Sequence, residues 1–426
     1  MRIGKKDWNV LAYGALASFG AYFCMYAFRK PFTVATFENL LYFGIDYKIL
    51  LILAQVIGYM TAKFLGIKVI SEMKKNLRLP YLLAMIGLAE LSLIGFGLAP
   101  APYNIGFLFM NGLSLGMVWG IVFSYLEGRK FTEFLGMALC SSFIVSSGAV
   151  KSAGLIIMDF FVISEFWMPA VTGAFFLLPF LGFAWLLEKI PPPSAEDIAL
   201  RSERMPMTAK DRKALVRKFF WPLLILILFY TTLTALRDFR DNFAREIWDA
   251  TAYAGNAAVF TLSELPIAIM VLLLIGATGF IKQNSKAFLA YHYMLFLGAL
   301  AMVAATLSFQ LNLIGPITWM VGVGFGLYAC YVPFNCVFFD RMIATFKIKG
   351  NSGFLIYLAD AFGYLGSMAI LLYKNFGQQE VSWLAFFSYA TYIIAALGMV
   401  AIAYSWLYFK NTKKPEFQND LKLQEL

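Results

Sequence analysis

The chain has 426 residues, 61% of them hydrophobic and 14% charged, with a net charge of +10 and a mean hydropathy of +0.71. Soluble domains carry about 45–50% apolar and about 25% charged residues. The composition therefore excludes an ordinary soluble enzyme, a nucleic-acid-binding domain and a disordered chain, and the surplus apolar surface must face lipid.

A bilayer core needs about 20 apolar residues per helix. Twelve segments meet this in chain order: 8–36, 47–69, 79–98, 103–126, 133–160, 166–187, 219–244, 257–281, 286–309, 312–339, 351–373 and 381–409. They are called spans 1 to 12 below. Span 1 ends in Arg-Lys-Pro-Phe with no small-residue cleavage site before span 2, so it reads as a membrane helix and not as a signal peptide. The ten-residue alternation of a transmembrane barrel is absent. Lys and Arg collect at the chain ends and in every second loop, while the segments 99–102 and 310–311 have none. The positive-inside rule then places both termini in the cytoplasm, and a bacterial inner membrane is the expected location. The one long polar stretch, 188–218, opens with Pro191-Pro192-Pro193. It predicts a solvated linker ending in a short amphipathic helix near 208–218 on the membrane surface. The expected organisation is a six-helix bundle over 1–190, a cytoplasmic linker over 191–218, a second six-helix bundle over 219–410 and a cytoplasmic tail over 411–426.

Cys24, Cys140, Cys330 and Cys336 lie in apolar stretches with no CxxC spacing or His partner. They read as small buried hydrophobes, and neither a metal nor a cofactor is expected. The single histidine, His292, stands between tyrosines in span 9 and reads as a packing or interfacial residue.

A shift of 208 residues lays Tyr22, Tyr26, Arg29 and Thr33 on Tyr230, Thr234, Arg237 and Asp241. The spacing i, i+4, i+7, i+11 puts each quartet on one helix face. A shift of 211 instead matches Phe28-Arg29 and Phe32 with Phe239-Arg240 and Phe243, so Arg240 stands as a second repeat mate of Arg29. Two parallel six-helix repeats around a midplane site describe the major facilitator fold. The expected class is thus an all-α membrane protein with twelve transmembrane helices in two six-helix repeats.

Charge inside a membrane helix costs about 2.5–3.5 kcal/mol per residue or more. The spans nonetheless hold Arg29, Lys30, Lys63, Lys151, Arg237 and Arg240 against Glu90, Asp238, Asp241, Glu264 and Asp360. Mutual pairing that locks the halves together is one reading of this set. The other is a binding site. Two guanidiniums beside aromatic hydroxyls suit a tetrahedral oxyanion, because arginine offers a planar fork of donors and keeps its proton.

These residues resemble the organophosphate:phosphate antiporter family of the major facilitator superfamily, typified by bacterial glycerol-3-phosphate and hexose-phosphate transporters. Tyr22, Tyr26, Arg29, Lys30 and Phe32 match the family's first-helix pattern, and Ala62-Lys63-Phe64 resembles its second-helix Ser-Lys-Phe. Gly116, Met117 and Trp119 meet the fourth-helix motif, and Ala235-Leu236-Arg237 approximates the seventh. Glu264 with Pro266 resembles the eighth, and Phe362-Gly363-Tyr364-Leu365-Gly366 the eleventh. Three departures mark a distant branch. The family's helix-5 His is missing from SSFIVSSGAVKSAG, Ile70 to Lys75 replaces the Asp-Arg signature after helix 2, and no Arg follows Trp119.

The resemblance implies that Arg29 and Arg237 bind a phosphoryl group and that Lys30 and Glu264 join a surrounding salt-bridge network. Tyr22, Tyr26, Lys63 and Arg240 complete the candidate binding set; Lys151, Asp360 and Asp241 complete the gating set. Superfamily packing of span 2 beside span 11 and span 5 beside span 8 suggests the pairs Lys63–Asp360 and Lys151–Glu264. Lys30–Glu264 competes with the second, and Glu264 is expected to be a mobile ion-pair partner. The expected activity is alternating-access antiport of an anionic small molecule such as a sugar phosphate, with inorganic phosphate as counter-substrate, by a monomer embedded in lipid. Two alternatives stand beside it. One is proton-coupled symport of a sugar or peptide-like solute, with Glu264 or Asp360 taking the proton. The other is a transporter-shaped sugar-phosphate sensor. An enzyme is not expected, since no Walker loop, HExxH or nucleophile–His–acid set is present, and nothing suggests nucleic-acid binding.

Overall fold

The computed structural model describes residues 5–71, 73–126, 132–192, 209–278, 281, 283–346, 352–377 and 380–412. Among them, twelve helical stretches are long and apolar enough to cross a membrane, one for each predicted span. In the first half they are Lys5–Ala27, Tyr47–Ser71, Arg78–Leu98, a broken span 4 of Ile105–Leu115 and Val118–Leu126, Thr132–Phe161 and Met168–Glu188. In the second half they are Phe220–Asn242, Ala258–Thr278, Asn284–Gln310, Pro316–Cys336, Ser352–Leu372 and Trp383–Asn411. Span 10 is prolonged after a break at Val337 by the short helix Phe338–Thr345.

The packing repeats. In the first half span 1 packs on spans 5 and 6, span 2 on span 4, and span 3 on spans 4 and 6. In the second half span 7 packs on spans 11 and 12, span 8 on span 10, and span 9 on spans 10 and 12. Each pairing recurs with six added to both members. The two halves meet through span 2 on span 11 and span 5 on span 8, which a two-fold axis between the halves exchanges. This is the major facilitator architecture.

Close approach at these seams depends on small residues, because the apolar effect does not drive association between helices in lipid. A Cβ on Gly112 would stand 2.1 Å from the Gln55 carbonyl oxygen, so spans 2 and 4 touch backbone to backbone. A Cβ on Gly148 would stand 2.2 Å from the Phe260 carbonyl oxygen, so spans 5 and 8 do the same.

His292 is buried packing: Nδ1 lies 2.9 Å from the Phe288 carbonyl oxygen and Nε2 3.0 Å from Ser405 Oγ, which ties span 9 to span 12. All four cysteines are free, and Cys330 Sγ donates to the Leu295 carbonyl. One feature departs from the sequence reading. The loop after span 1 holds a two-stranded hairpin, Leu41–Tyr42 against Ile45–Asp46, turned through Phe43 and Gly44 at φ 58° and 74°. Two successive positive φ values are what a tight hairpin turn requires.

The linker ends in the helix Ala209–Lys218, with Leu215 buried and residues 210–214 exposed. The rest of the predicted linker, 193–208, and the tail from 413 lie outside the described residues. So does much of the loop charge behind the orientation reading, including Arg129, Lys130, Lys282, Lys347 and Lys349.

Candidate functional site

Span 1 ends nine residues earlier than its apolar length suggests, and Pro31 is the reason. A proline lacks the N–H that would bond the carbonyl of Ala27, four residues back, and its ring clashes there. The helix stops at Ala27, and Arg29 and Lys30 sit in an irregular turn before the short 3₁₀ stretch Pro31–Val34. Backbone freed inside a membrane must be satisfied by neighbouring groups. Two buried amides do this. Asn111 of span 4 donates from Nδ2 to the Phe28 carbonyl at 2.9 Å, and Gln55 of span 2 donates from Nε2 to the Arg29 carbonyl at 3.0 Å. Gln55 also donates to Asn111 Oδ1 at 2.8 Å. The charge census of the sequence missed both amides because they are neutral. Their signal was a polar side chain inside an apolar span.

This scaffold holds the Arg29 side chain in the interior. It is 5% exposed, and among the described residues no carboxylate lies within ion-pair distance and Nε has no hydrogen-bond partner. Its neighbours are ring faces: the guanidinium carbon lies 4.0 Å from the Tyr59 ring centroid and 5.8 Å from that of Tyr26. Tyr22 packs edge-on to Tyr26 at 5.6 Å, and Tyr364 of span 11 meets Tyr59 at 4.9 Å. Arg237 comes from the other half. Its guanidinium lies 4.4 Å from the Tyr331 ring, donates to the Tyr331 hydroxyl, and pairs with Asp238 Oδ1 at 2.7 Å. Both guanidiniums lie within electrostatic range of Tyr26, Tyr364 and Asp238. Arg29 and Arg237 thus share the neighbours Tyr26, Tyr364 and Asp238 at the boundary between the halves.

Arg240, the alternative mate, is turned away from this place. It is 3% exposed and pairs within its own half with Glu264 at 2.5 Å, between spans 7, 8 and 10. Both expected partners of Glu264 are therefore corrected. Neither Lys151 nor Lys30 meets it. Both instead meet Asp241, which sits at the seam between the halves, while Asn242 accepts from Lys30 at 2.9 Å and Ser147 also donates to Asp241. The backbone contact at Gly148 explains the change. Glu264 Cγ would stand 2.8 Å from a Cβ there, so the carboxylate turns along its own bundle toward Arg240, and Lys151 one turn further on reaches Asp241. Glu264 is consequently not a partner across the halves. Glu264→Gln should leave Arg240 buried and unpaired, a loss of about 3–5 kcal/mol. The thermal midpoint of the purified protein should fall by several degrees and recover in an Arg240→Leu, Glu264→Leu double variant.

Further out on the side away from the chain ends, Lys48 pairs with Glu246, and Arg245 donates to the Val34 carbonyl at 3.5 Å. Glu165 braces the turn after span 1 by accepting from the Thr36 and Phe37 amides at 2.6 and 2.9 Å. Sequence reading missed Glu165, Arg245 and Glu246 because they lie outside the apolar spans it searched for charge, and it passed over Lys48 at the very start of span 2.

Nearer the middle of the membrane, Lys63 pairs with Asp360 at 3.3 Å across spans 2 and 11. Asp360 also accepts from the Tyr230 hydroxyl at 2.5 Å, and that hydroxyl lies 3.2 Å from Asn335 Oδ1. In charge-swap variants, Lys63→Asp and Asp360→Lys should each lower thermal stability by placing like charges together. The double variant should recover at least half of the loss, with a coupling of about 1–3 kcal/mol. A double variant no better than the worse single would show that the pair contributes nothing.

One carboxylate stands apart. Glu90 of span 3 has no ion pair among the described residues, and its Oε2 is buried without a hydrogen bond. That oxygen would lie 2.2 Å from a Cβ on Gly173 of span 6, beside Phe28.

Residues 31–412 match the profile of a family of unknown function, DUF5690. No curated protein matches the chain in sequence. Among solved structures, the chain is similar to one titled a D-xylose-proton symporter, with a TM-score of 0.61 and 12% identity over 94% of this chain and 97% of that one. Identity this low speaks to the shared fold and not to a shared substrate.

Proposed function

This chain belongs to the DUF5690 family, and we propose that it is a secondary active transporter that exchanges an organic anion, a phosphorylated metabolite such as a sugar phosphate, by alternating access. Both chain ends lie on the cytoplasmic side in this reading. The observation that carries it is the Arg29 guanidinium, buried between the halves with aromatic faces around it and, among the described residues, no carboxylate within ion-pair distance. A cation held in that state costs stability unless a ligand brings the missing charge. A phosphoryl group takes the bidentate contacts of Arg29 and competes with Asp238 for Arg237.

Coupling follows from the charges next to the site. Asp238 lies within electrostatic range of Lys30 as well as both arginines. When the anion takes Arg237, Asp238 gains freedom to draw Lys30 away from Asp241, and the seam on that side weakens. A ligand shifts a conformational balance only by its differential affinity for the two states, and the shared use of these cations supplies that difference.

A second reading, proton-coupled symport, is favoured by Glu90, a carboxyl with no ion pair among the described residues and a buried oxygen without a hydrogen bond. Glu264 and Asp360 are held by Arg240 and Lys63 and are poorer carriers. The experiment uses proteoliposomes loaded with inorganic phosphate and a panel of labelled sugar phosphates outside. Antiport gives uptake that requires internal phosphate and ignores a pH gradient. Uptake of a neutral sugar that follows the pH gradient, ignores internal phosphate and is lost in Glu90→Gln replaces it with symport. Tight binding with no flux indicates a sensor.

A further inference from the structure

We propose that the groove between the linker helix and the second bundle is a binding site for one anionic phospholipid. The linker helix Ala209–Lys218 lies against the start of span 7 and of span 11, bordering an open groove of about 460 Å³. Arg212, Lys213 and Arg217 rim it, and Val216, Phe220 and Phe354 form its apolar wall. The Arg212 guanidinium carbon lies 5.9 Å from the Phe354 ring centroid. Both arginines and the lysine are exposed, whereas Leu215 on the other helix face is 3% exposed and pins the helix down.

Position decides the occupant. The apolar wall continues onto Phe220 and Trp221, which are 45% and 61% exposed at the very start of a membrane-spanning helix. Aromatic residues at such a point mark the depth of the lipid headgroups. A phosphodiester placed between Arg212 and Arg217 therefore carries its acyl chains along Phe220 into the hydrocarbon layer, with no apolar surface left in water. A soluble anion would meet the same cations but leave the wall uncovered. A protein ligand would have to enter the bilayer to cover it. The helix closes the only long polar link between the halves, so a lipid bound here fixes the linker to the leaflet beside span 7, the helix that carries Arg237.

The test is retention of lipid by the full chain, purified and released from nanodiscs of mixed phosphatidylglycerol and phosphatidylcholine, read by native mass spectrometry. A basic residue near the membrane surface contributes about fivefold to anionic lipid affinity. The Arg212→Gln, Arg217→Gln double variant should lose one phosphatidylglycerol per chain with a drop on the order of twentyfold. Phe354→Ala should weaken the same adduct several-fold with every charge in place. The double variant alters only exposed side chains, whereas Phe354 also packs on the core, so the Phe354→Ala result counts at an unchanged thermal midpoint. Equal retention of phosphatidylcholine, displacement of the adduct by millimolar inorganic phosphate, or retention unchanged in the double variant would each overturn the proposal.

Discussion

Arg29→Lys should reduce anion exchange about a hundredfold or more while the protein inserts and folds as before. Lysine keeps the positive charge but offers a point donor in place of a planar fork. Each hydrogen bond to a charged group contributes about 1.5–3 kcal/mol, so losing one arm of a bidentate contact and misplacing the other removes roughly a hundredfold in affinity. The companion variant separates this role from a structural one. Among the described residues Arg29 has no carboxylate within ion-pair distance, and it lies among Tyr26 and Tyr59. Arg29→Met should therefore abolish exchange yet hold or raise the thermal midpoint of the ligand-free protein, because it deletes an unbalanced buried cation. Arg240→Met should do the reverse, keeping anion affinity but losing stability, because it strands Glu264. Opposite effects from two buried arginines, one in each half, are difficult to obtain from a generic loss of folding.

Asp241→Asn should open the seam on the side away from the chain ends. Asp241 is held between Lys30 and Lys151, which come from the other half, and the two lysine side chains are 3% exposed. Neutralising it leaves two buried ammonium groups without an anion. Removing one partner of a buried pair costs about 3–5 kcal/mol, and about 5.5 kcal/mol inverts a two-state balance from 1:99 to 99:1. The closed arrangement should thus lose its dominance. Spin labels at Leu41 and Ala254, exposed positions of opposite halves on that side, read this directly. The variant should show a longer-distance population absent from the parent. Replacing Lys30, Lys151 and Asp241 together by methionine should restore much of the thermal stability. A distance distribution unchanged by Asp241→Asn would mean that the triad is not what closes the seam.

The fold was legible in the sequence because membrane insertion leaves a coarse signature. Twelve apolar runs of spanning length and their division by one polar linker survive any detail of packing. The site was legible in part. Arg29 and Arg237 stood out because charge is rare in such helices, and the tyrosines one and two turns below Arg29 share its face. Their pairing was less accessible. Which cation meets Glu264 depends on a rotation of span 8 and on backbone contact at Gly148, and neither leaves a mark on residue spacing. Asp241 and Glu264 are both acidic groups near the same lysines in projection, yet only Asp241 faces across the halves. The neutral struts were the least legible. Gln55 and Asn111 hold the turn that presents Arg29, and Tyr59 and Tyr331 wall the site, but uncharged polar and aromatic residues are common enough in membrane helices to pass unnoticed. Pro31 was in plain view. Its effect on the helix end follows from its missing N–H, and it is what separates Arg29 and Lys30 from a regular helical face.

The central claim is that one oxyanion is shared by an arginine from each half. Calorimetric titration of the purified protein with a hexose phosphate and with inorganic phosphate tests it most directly, using the parent, Arg29→Gln, Arg237→Gln and the double variant. The account predicts one site per chain, mutual competition between the two ligands, no affinity for the neutral hexose, and loss of binding in either single variant with little further loss in the double. Binding that survives Arg29→Gln undiminished, or a neutral sugar that binds as tightly as its phosphate ester, would contradict it.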